Sequence, residues 1–190
     1  MAVQIVFETH SITEDNERGI ATGWHHGRLS DRGRSLAREL GMRRRNDGIQ
    51  VVFSSDLGRA VETAEIAFGD TSIPILHDWR LRECDYGEQN GATREELDRT
   101  RPEHLDRPYP GGESWRQATH RVKHFLYDLG ARRSSPVLVI GHLATRWGLE
   151  HYLNGVPLEH LVRAQIAWQA GWEYSCPDTQ RVPCGWPTDR

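Results

Sequence analysis

The sequence predicts an α/β fold: a three-layer α/β/α sandwich built on a mostly parallel sheet. Two short β-branched runs carry the prediction, residues 3–7 and 136–140, each followed closely by a histidine, His10 and His142. Between them, apolar runs of strand length alternate with segments whose apolar residues recur at helical spacing, the pattern of strands joined by crossover helices. In an open sheet of this kind ligands bind outside the carboxyl ends of the strands. Two histidines about 130 residues apart in the chain are therefore expected to face one pocket.

The elements follow in order. The first strand ends at Glu8-Thr9-His10-Ser11, and residues 11–31 read as a polar loop. Ser30-Asp31 is a cap for a helix over about residues 32–40, with Leu36, Ala37 and Leu40 on one face. Residues 49–53 read as the second strand. Ser54-Ser55-Asp56 then opens a helix to about Phe68, where Leu57, Ala60, Val61 and Ala64 keep helical spacing. A short strand is expected at residues 73–76, and the charged stretch 79–112 reads as loop, punctuated by Pro108-Tyr109-Pro110-Gly111-Gly112. Residues 113–129 predict a helix with Val122, Phe125, Leu126 and Leu129 inward. The strand at Val137 follows, then a helix over 145–153 and a last strand over 167–174. The chain is expected to form one domain, residues 1–190, with an irregular tail from about residue 176.

Composition narrows the function classes. The formal charge of −3 is too small to argue for nucleic acid or membrane. Lys123 is the only lysine, so arginine carries nearly all the positive charge; guanidinium suits bidentate capture of phosphate or carboxylate, although codon usage explains the bias equally well. Cys84, Cys176 and Cys184 form no close pair of the kind that holds zinc or a disulfide framework. With no signal-like segment and no run long enough to span a bilayer, a cytoplasmic location is expected. His120 and His124 stand one helical turn apart without an evident third ligand, and Arg43-Arg44-Arg45 reads as a solvated helix end. Trp168 and Trp172 read as core, with a homodimer contact as the alternative.

Four groups converge on one edge of the expected sheet: His10, Arg59 in the first turn of a helix, Glu83 in the loop after the third strand, and His142. Free N–H groups and the dipole at a helix start already favour an anion. An imidazole nucleophile, a guanidinium, a second imidazole and a carboxylic acid suit phosphoryl transfer, where catalysis is mostly positioning and charge neutralisation.

These residues resemble the histidine phosphatase superfamily, its phosphoglycerate mutase-like branch, over roughly residues 3–150. The segment from Ser54 to Ala64 follows the family pattern S-S-x-x-x-R-A-x-x-T-A. Asn16, Thr22-Gly23-Trp24, Leu29-Ser30 with Gly33, Glu83 with Tyr86-Gly87, Gly112-Glu113-Ser114 and Gly141-His142 fall in family order. The resemblance implies that His10 becomes phosphorylated while Glu83 protonates the leaving oxygen and then deprotonates water. It also implies that Arg59, His142 and Asn16 hold the phosphoryl oxygens, with Thr22 and Gly23 at the entrance and Tyr86 and Leu143 in the substrate-binding set. No metal or cofactor is implied; the partner is a small phosphorylated molecule.

The chain departs from the family at one place: Arg-His-Gly is here Thr9-His10-Ser11. A charge-assisted hydrogen bond is worth about 1.5–3 kcal/mol, so an unreplaced arginine costs roughly ten- to a hundredfold in rate or affinity. The Thr9 and Ser11 hydroxyls offer partial substitutes, and Arg18, Arg28, Arg82 and His25 are the cations near enough in sequence to fill the gap. Hydrolysis of a small phosphomonoester is the expected activity. The alternatives are a retuned site acting on a non-standard substrate and a non-hydrolytic, anion-binding regulatory protein; mutase activity is disfavoured, because only about 25 residues separate Gly87 from Gly112.

Overall fold

The fold is described from a computed structural model covering residues 2–131, 136–164 and 169–178. Five strands form one sheet: β1 (Val3–Thr9), β2 (Val51–Ser54), β3 (Ile75–His77), β4 (Val137–Gly141) and β5 (Trp172–Cys176). Their order is β3-β2-β4-β1-β5. The first four are parallel and β5 runs antiparallel beside β1. Ile5 opposite Val137 and Thr9 opposite Gly141 set the register of the central pair, so β1 and β4 end level and deliver His10 and His142 side by side.

The sheet alternates as a three-layer fold requires. Leu138 and Ile140 pack with Leu40, Ala60, Ala64 and Phe68 from α2 (Asp31–Arg44) and α3 (Gly58–Phe68) on one face. Val137 and Val139 pack with Val122, Phe125, Leu126 and Leu149 from α5 (Trp115–Gly130) and α6 (Leu143–Asn154) on the other. A third apolar cluster lies beyond the strand ends, where Tyr86, Leu97, Tyr109, Trp115 and Trp147 meet.

Several boundaries differ from those expected. Helix α2 continues to Arg44; Arg43 is exposed as expected of a solvated end, but Arg44 is half-buried, and both donate to the buried carboxylate of Glu8, at 3.1 and 2.9 Å. The 11–31 loop contains a one-turn helix, α1 (Glu14–Glu17), capped by Thr13. The 79–112 stretch is not all loop; it holds α4 (Arg94–Thr100), started by the Thr93 hydroxyl, and three 3-10 turns. A further short helix, α7 (Leu158–Leu161), follows α6. The last strand starts at Trp172 and reaches Cys176, later than expected, so Cys176 belongs to the strand and not to the irregular tail expected from about residue 176; Ala167, Trp168, Cys184 and residues 179–190 of that tail lie outside the described residues. No helix among the described residues is long and apolar enough to cross a membrane.

Candidate functional site

The site is built on four chain segments that end at one edge of the sheet. Strand β1 stops at Thr9, and the His10 N–H still continues the ladder by donating to Gly141 O at 3.0 Å. The chain then turns under a side-chain clamp: Ser11 N donates to Thr63 Oγ1 at 3.0 Å, and that hydroxyl donates to Arg59 O at 2.7 Å. One threonine of α3 therefore fixes both the histidine turn and the helical turn that carries Arg59.

The two imidazoles lie 4.9 Å apart, centre to centre, tilted by 52°. Arg59 lies against both, donating from Nε to His10 Nε2 and from a terminal nitrogen towards His142 Nδ1, each at 3.3 Å. A guanidinium has no acceptor, so the ring nitrogens facing it carry lone pairs. The remaining hydrogen bonds assign the tautomers. His10 carries its proton on Nδ1, which donates to Ser11 O at 2.7 Å, leaving Nε2 with the lone pair that accepts from Arg59. His142 carries its proton on Nε2, a buried donor with no partner among the described residues.

Both rings are held neutral. Burial pushes the His10 pKa down to about 3, with the Arg59 charge adding to the effect and the Ser11 carbonyl opposing it. His142 is driven well below the usual imidazole range by burial first, then by Arg59. Burial also lowers the Arg59 pKa. The guanidinium is anchored by Gly23 O at 2.8 Å and His25 O at 3.3 Å. Gly23 has φ +56°, and a Cβ there would collide with the Asn90 side chain. Glycine is thus needed to turn that carbonyl onto Arg59.

Glu83 arrives from the loop after the 3-10 turn Trp79–Leu81 and lies over the start of α6. Its Oε1 accepts from Cys84 N at 2.9 Å and Ala144 N at 3.1 Å, and its Oε2 accepts from Leu143 N at 3.3 Å. A carboxylate thus occupies the α6 N–H groups, the kind of site that also suits a phosphate oxygen. Its main chain is pinned by Trp24 Nε1 at 2.7 Å and by Arg121 at 3.1 Å. Arg121 is nearly buried, gripped by both Glu113 oxygens at 2.7 and 2.8 Å, and also donates to Arg80 O at 3.0 Å.

The structure therefore brings His10, Arg59 and His142 into contact and sets Glu83 on the neighbouring helix start. Ser11, Gly23 and Leu143 join through backbone groups. Thr9 is half-buried at the end of β1. Thr22 is buried with its hydroxyl on Asp15, at 2.9 Å. Tyr86 is buried edge-on against Tyr109 and lies beside Gly23. Asn16 is exposed on α1, its carbonyl spent on Thr13 N at 3.1 Å, which leaves the amide nitrogen for a ligand.

None of the cations considered for the gap at Thr9 hydrogen-bonds the two rings with its side chain among the described residues. Arg18 pairs with Asp15. Arg82 is clamped by Asp56 at 2.7 and 2.6 Å, over the Trp24 ring. His25 and Arg28 are exposed. Among the described residues Arg59 is the only cation hydrogen-bonded to the two rings. Sequence reasoning missed Arg121. Its signal is a charged residue on the inward stripe of α5, between Ala118 and Phe125.

Comparison with known proteins identifies the family and the fold. A family model described as histidine phosphatase superfamily (branch 1) matches residues 5–175. A 2,3-bisphosphoglycerate-dependent phosphoglycerate mutase of Allorhizobium ampelinum is 30% identical over 183 residues, covering 88% of this chain and 87% of the relative. Among solved structures, Bacillus stearothermophilus YhfR superposes with a TM-score of 0.78 at 27% identity, over 90% of each chain. A mycobacterial glucosyl-3-phosphoglycerate phosphatase in complex with VO3 gives the same TM-score and coverage at 23% identity, a likeness of fold.

Proposed function

Because the chain belongs to the histidine phosphatase superfamily, we propose that it is a phosphatase that hydrolyses a small phosphomonoester through a phosphohistidine on His10. One observation carries the reading: a neutral His10 whose unprotonated Nε2 faces Arg59, beside an Nε2–H of His142 with no partner among the described residues, both rings ordered by one guanidinium. A lone pair and an unspent donor at one guanidinium are what a phosphoryl group needs on its two sides, a nucleophile for phosphorus and a donor for its oxygens.

In the first step His10 Nε2 forms a bond to phosphorus as the ester P–O bond breaks, and Glu83, entering as the acid, passes its proton to the leaving oxygen. Arg59 and the His142 Nε2–H hold the equatorial oxygens. As Glu83 turns towards the leaving oxygen, the N–H groups of Leu143 and Ala144 are released to a phosphoryl oxygen. In the second step water attacks phosphorus, the N–P bond breaks, and Glu83 takes the water proton, which restores both groups. Thr9, Ser11, Asn16, Thr22, Gly23 and Tyr86 shape the entrance.

A second reading is mutase activity, favoured by the name of the 30% identical relative. Chain length does not separate the two, because that relative is matched over 87% of its own length. Incubation with p-nitrophenyl phosphate, a metabolite panel and 3-phosphoglycerate tests the proposal. Release of inorganic phosphate, acid-labile phosphate on the wild-type protein and loss of both in His10→Ala are expected. Isomerisation of 3-phosphoglycerate without phosphate release means a mutase, and anion binding with no turnover of any ester means a binding protein.

A further inference from the structure

In the proposed reaction Glu83 gives up its side-chain contacts with α6. At rest its carboxylate accepts from Leu143 N and Ala144 N, and the first step turns it away from both. Its main chain is then what places it. A proton donor must come within about 3.2 Å of the oxygen that it serves.

That main chain is gripped on both sides of Glu83. Arg121, on α5, donates to the carbonyls of Arg80 at 3.0 Å and Glu83 at 3.1 Å, with longer contacts of 3.4 Å to those of Trp79 and Arg82. Glu113, just before α5, takes the other side. Its Oε2 accepts from Asp85 N at 3.1 Å, and its own N–H donates to Asp85 O at 2.8 Å. A Cβ on Gly112 would collide with Asp85 O, so glycine permits this approach. The two charged residues close on each other, Arg121 Nε to Oε1 at 2.7 Å and a terminal nitrogen to Oε2 at 2.8 Å, with only 9% and 19% of their side chains exposed. Thr145 fastens the same loop to the second histidine: its hydroxyl donates to Leu81 O at 2.7 Å and accepts from His142 N at 3.1 Å.

An ion pair this buried is a poor source of stability, since apolar side chains of equal volume often hold a fold as well. Apolar side chains cannot bind carbonyls. A guanidinium presents five N–H donors in a fixed fork and can hold a carboxylate and several carbonyls at once. We infer that Glu113 and Arg121 are positioning residues for Glu83: the pair fixes the pivot about which the carboxyl turns from the start of α6 to the leaving oxygen. This rests on the phosphatase reading and deepens it. A displacement of the pivot by about 1 Å costs up to about a hundredfold where a proton must be delivered. It costs little where the leaving group departs without one.

Two aryl esters read the difference. Phenyl phosphate needs a proton on its leaving oxygen, whereas 2,4-dinitrophenyl phosphate releases a stable anion unaided. Their kcat/KM values report the first step alone. Arg121→Lys keeps the charge and loses the fork; the double variant Arg121→Met with Glu113→Gln strands no buried charge. In each we expect kcat/KM to fall about tenfold or more on phenyl phosphate and about threefold or less on the dinitrophenyl ester. Glu83→Gln is the reference and should show the same selectivity more strongly. A merely structural pair would lower both esters alike, and either variant decides the case if the other does not fold. Equal losses on the two esters, or wild-type rates on both, overturn the inference while Glu83→Gln stays selective. A wild-type protein that turns over neither ester, or a Glu83→Gln variant without selectivity, refutes the acid reading itself, and the inference falls with it.

Discussion

At the scale of single residues, the site rests on which nitrogen holds which proton. Arg59 can only donate, so it dictates that His10 Nε2 and His142 Nδ1 face it unprotonated. Thr9 is where this chain departs from Arg-His-Gly, and no cation of the described residues stands in for the absent arginine at the rings. Thr9→Arg is therefore expected to raise turnover of p-nitrophenyl phosphate about tenfold, the value of one charge-assisted bond. Unchanged or lower turnover in a steady-state assay means that the space beside Thr9 already serves another purpose. His10 and His142 were legible in the sequence because each ends a strand, where the fold class alone puts a ligand. The Glu83 contacts were not: its carboxylate meets Leu143 N, 60 positions away, and nothing local marks the pairing.

At the scale of elements, two joints hold the site in register. The first is Thr63, which ties the turn after β1 to α3. Thr63→Val keeps the shape but strands the buried Ser11 N–H, at a cost of about 1–3 kcal/mol in a denaturant titration. The same change should lower kcat, because the Ser11 carbonyl orients His10; stability and kcat both at wild-type values would show that the joint is dispensable. The second is Gly148, where α5 and α6 approach so closely that an added Cβ would lie 2.5 Å from Val122 Cβ. Gly148→Ala is expected to lower stability by about 1–3 kcal/mol, seen as a drop in Tm. An unaltered Tm would mean that the helices move apart without penalty. Long helices were readable because each buries a stripe. The one-turn α1 and α7 and the charged α4 were not, since α4 buries only Leu97 and α1 nothing.

At the scale of the whole molecule, holding two imidazoles neutral, His142 buried and His10 half-buried beside Arg59, ties folding to pH. The folded His10 has a pKa of about 3 against 6.5 when free, and His142 is lowered too. Between those values the unfolded chain binds more protons than the folded one, so stability is complete above pH 6.5 and falls as the solution is acidified towards pH 3. Each histidine contributes a slope of at most about 1.4 kcal/mol per pH unit. Replacing His142 with Gln should flatten that slope in urea titrations between pH 4 and 6 (roughly the middle of the window). An equally steep slope in the variant would place the acid sensitivity in the carboxylates. The mostly parallel sheet follows from the strand and helix alternation visible in the chain, whereas the order that sets β1 beside β4 needed the structure. The ion pairs that close the β5 edge, such as Glu8 with Arg44, join residues 36 positions apart and needed the structure.

The most direct test is a crystal structure with vanadate, a mimic of the phosphoryl group in transfer. The account predicts vanadium bonded to His10 Nε2, with oxygens on Arg59 and on the Nε2–H of His142, and Glu83 turned away from the Leu143 and Ala144 N–H groups. Vanadate bound without contact to His10, or a site that stays empty at saturating vanadate while both histidines keep their places, would contradict it.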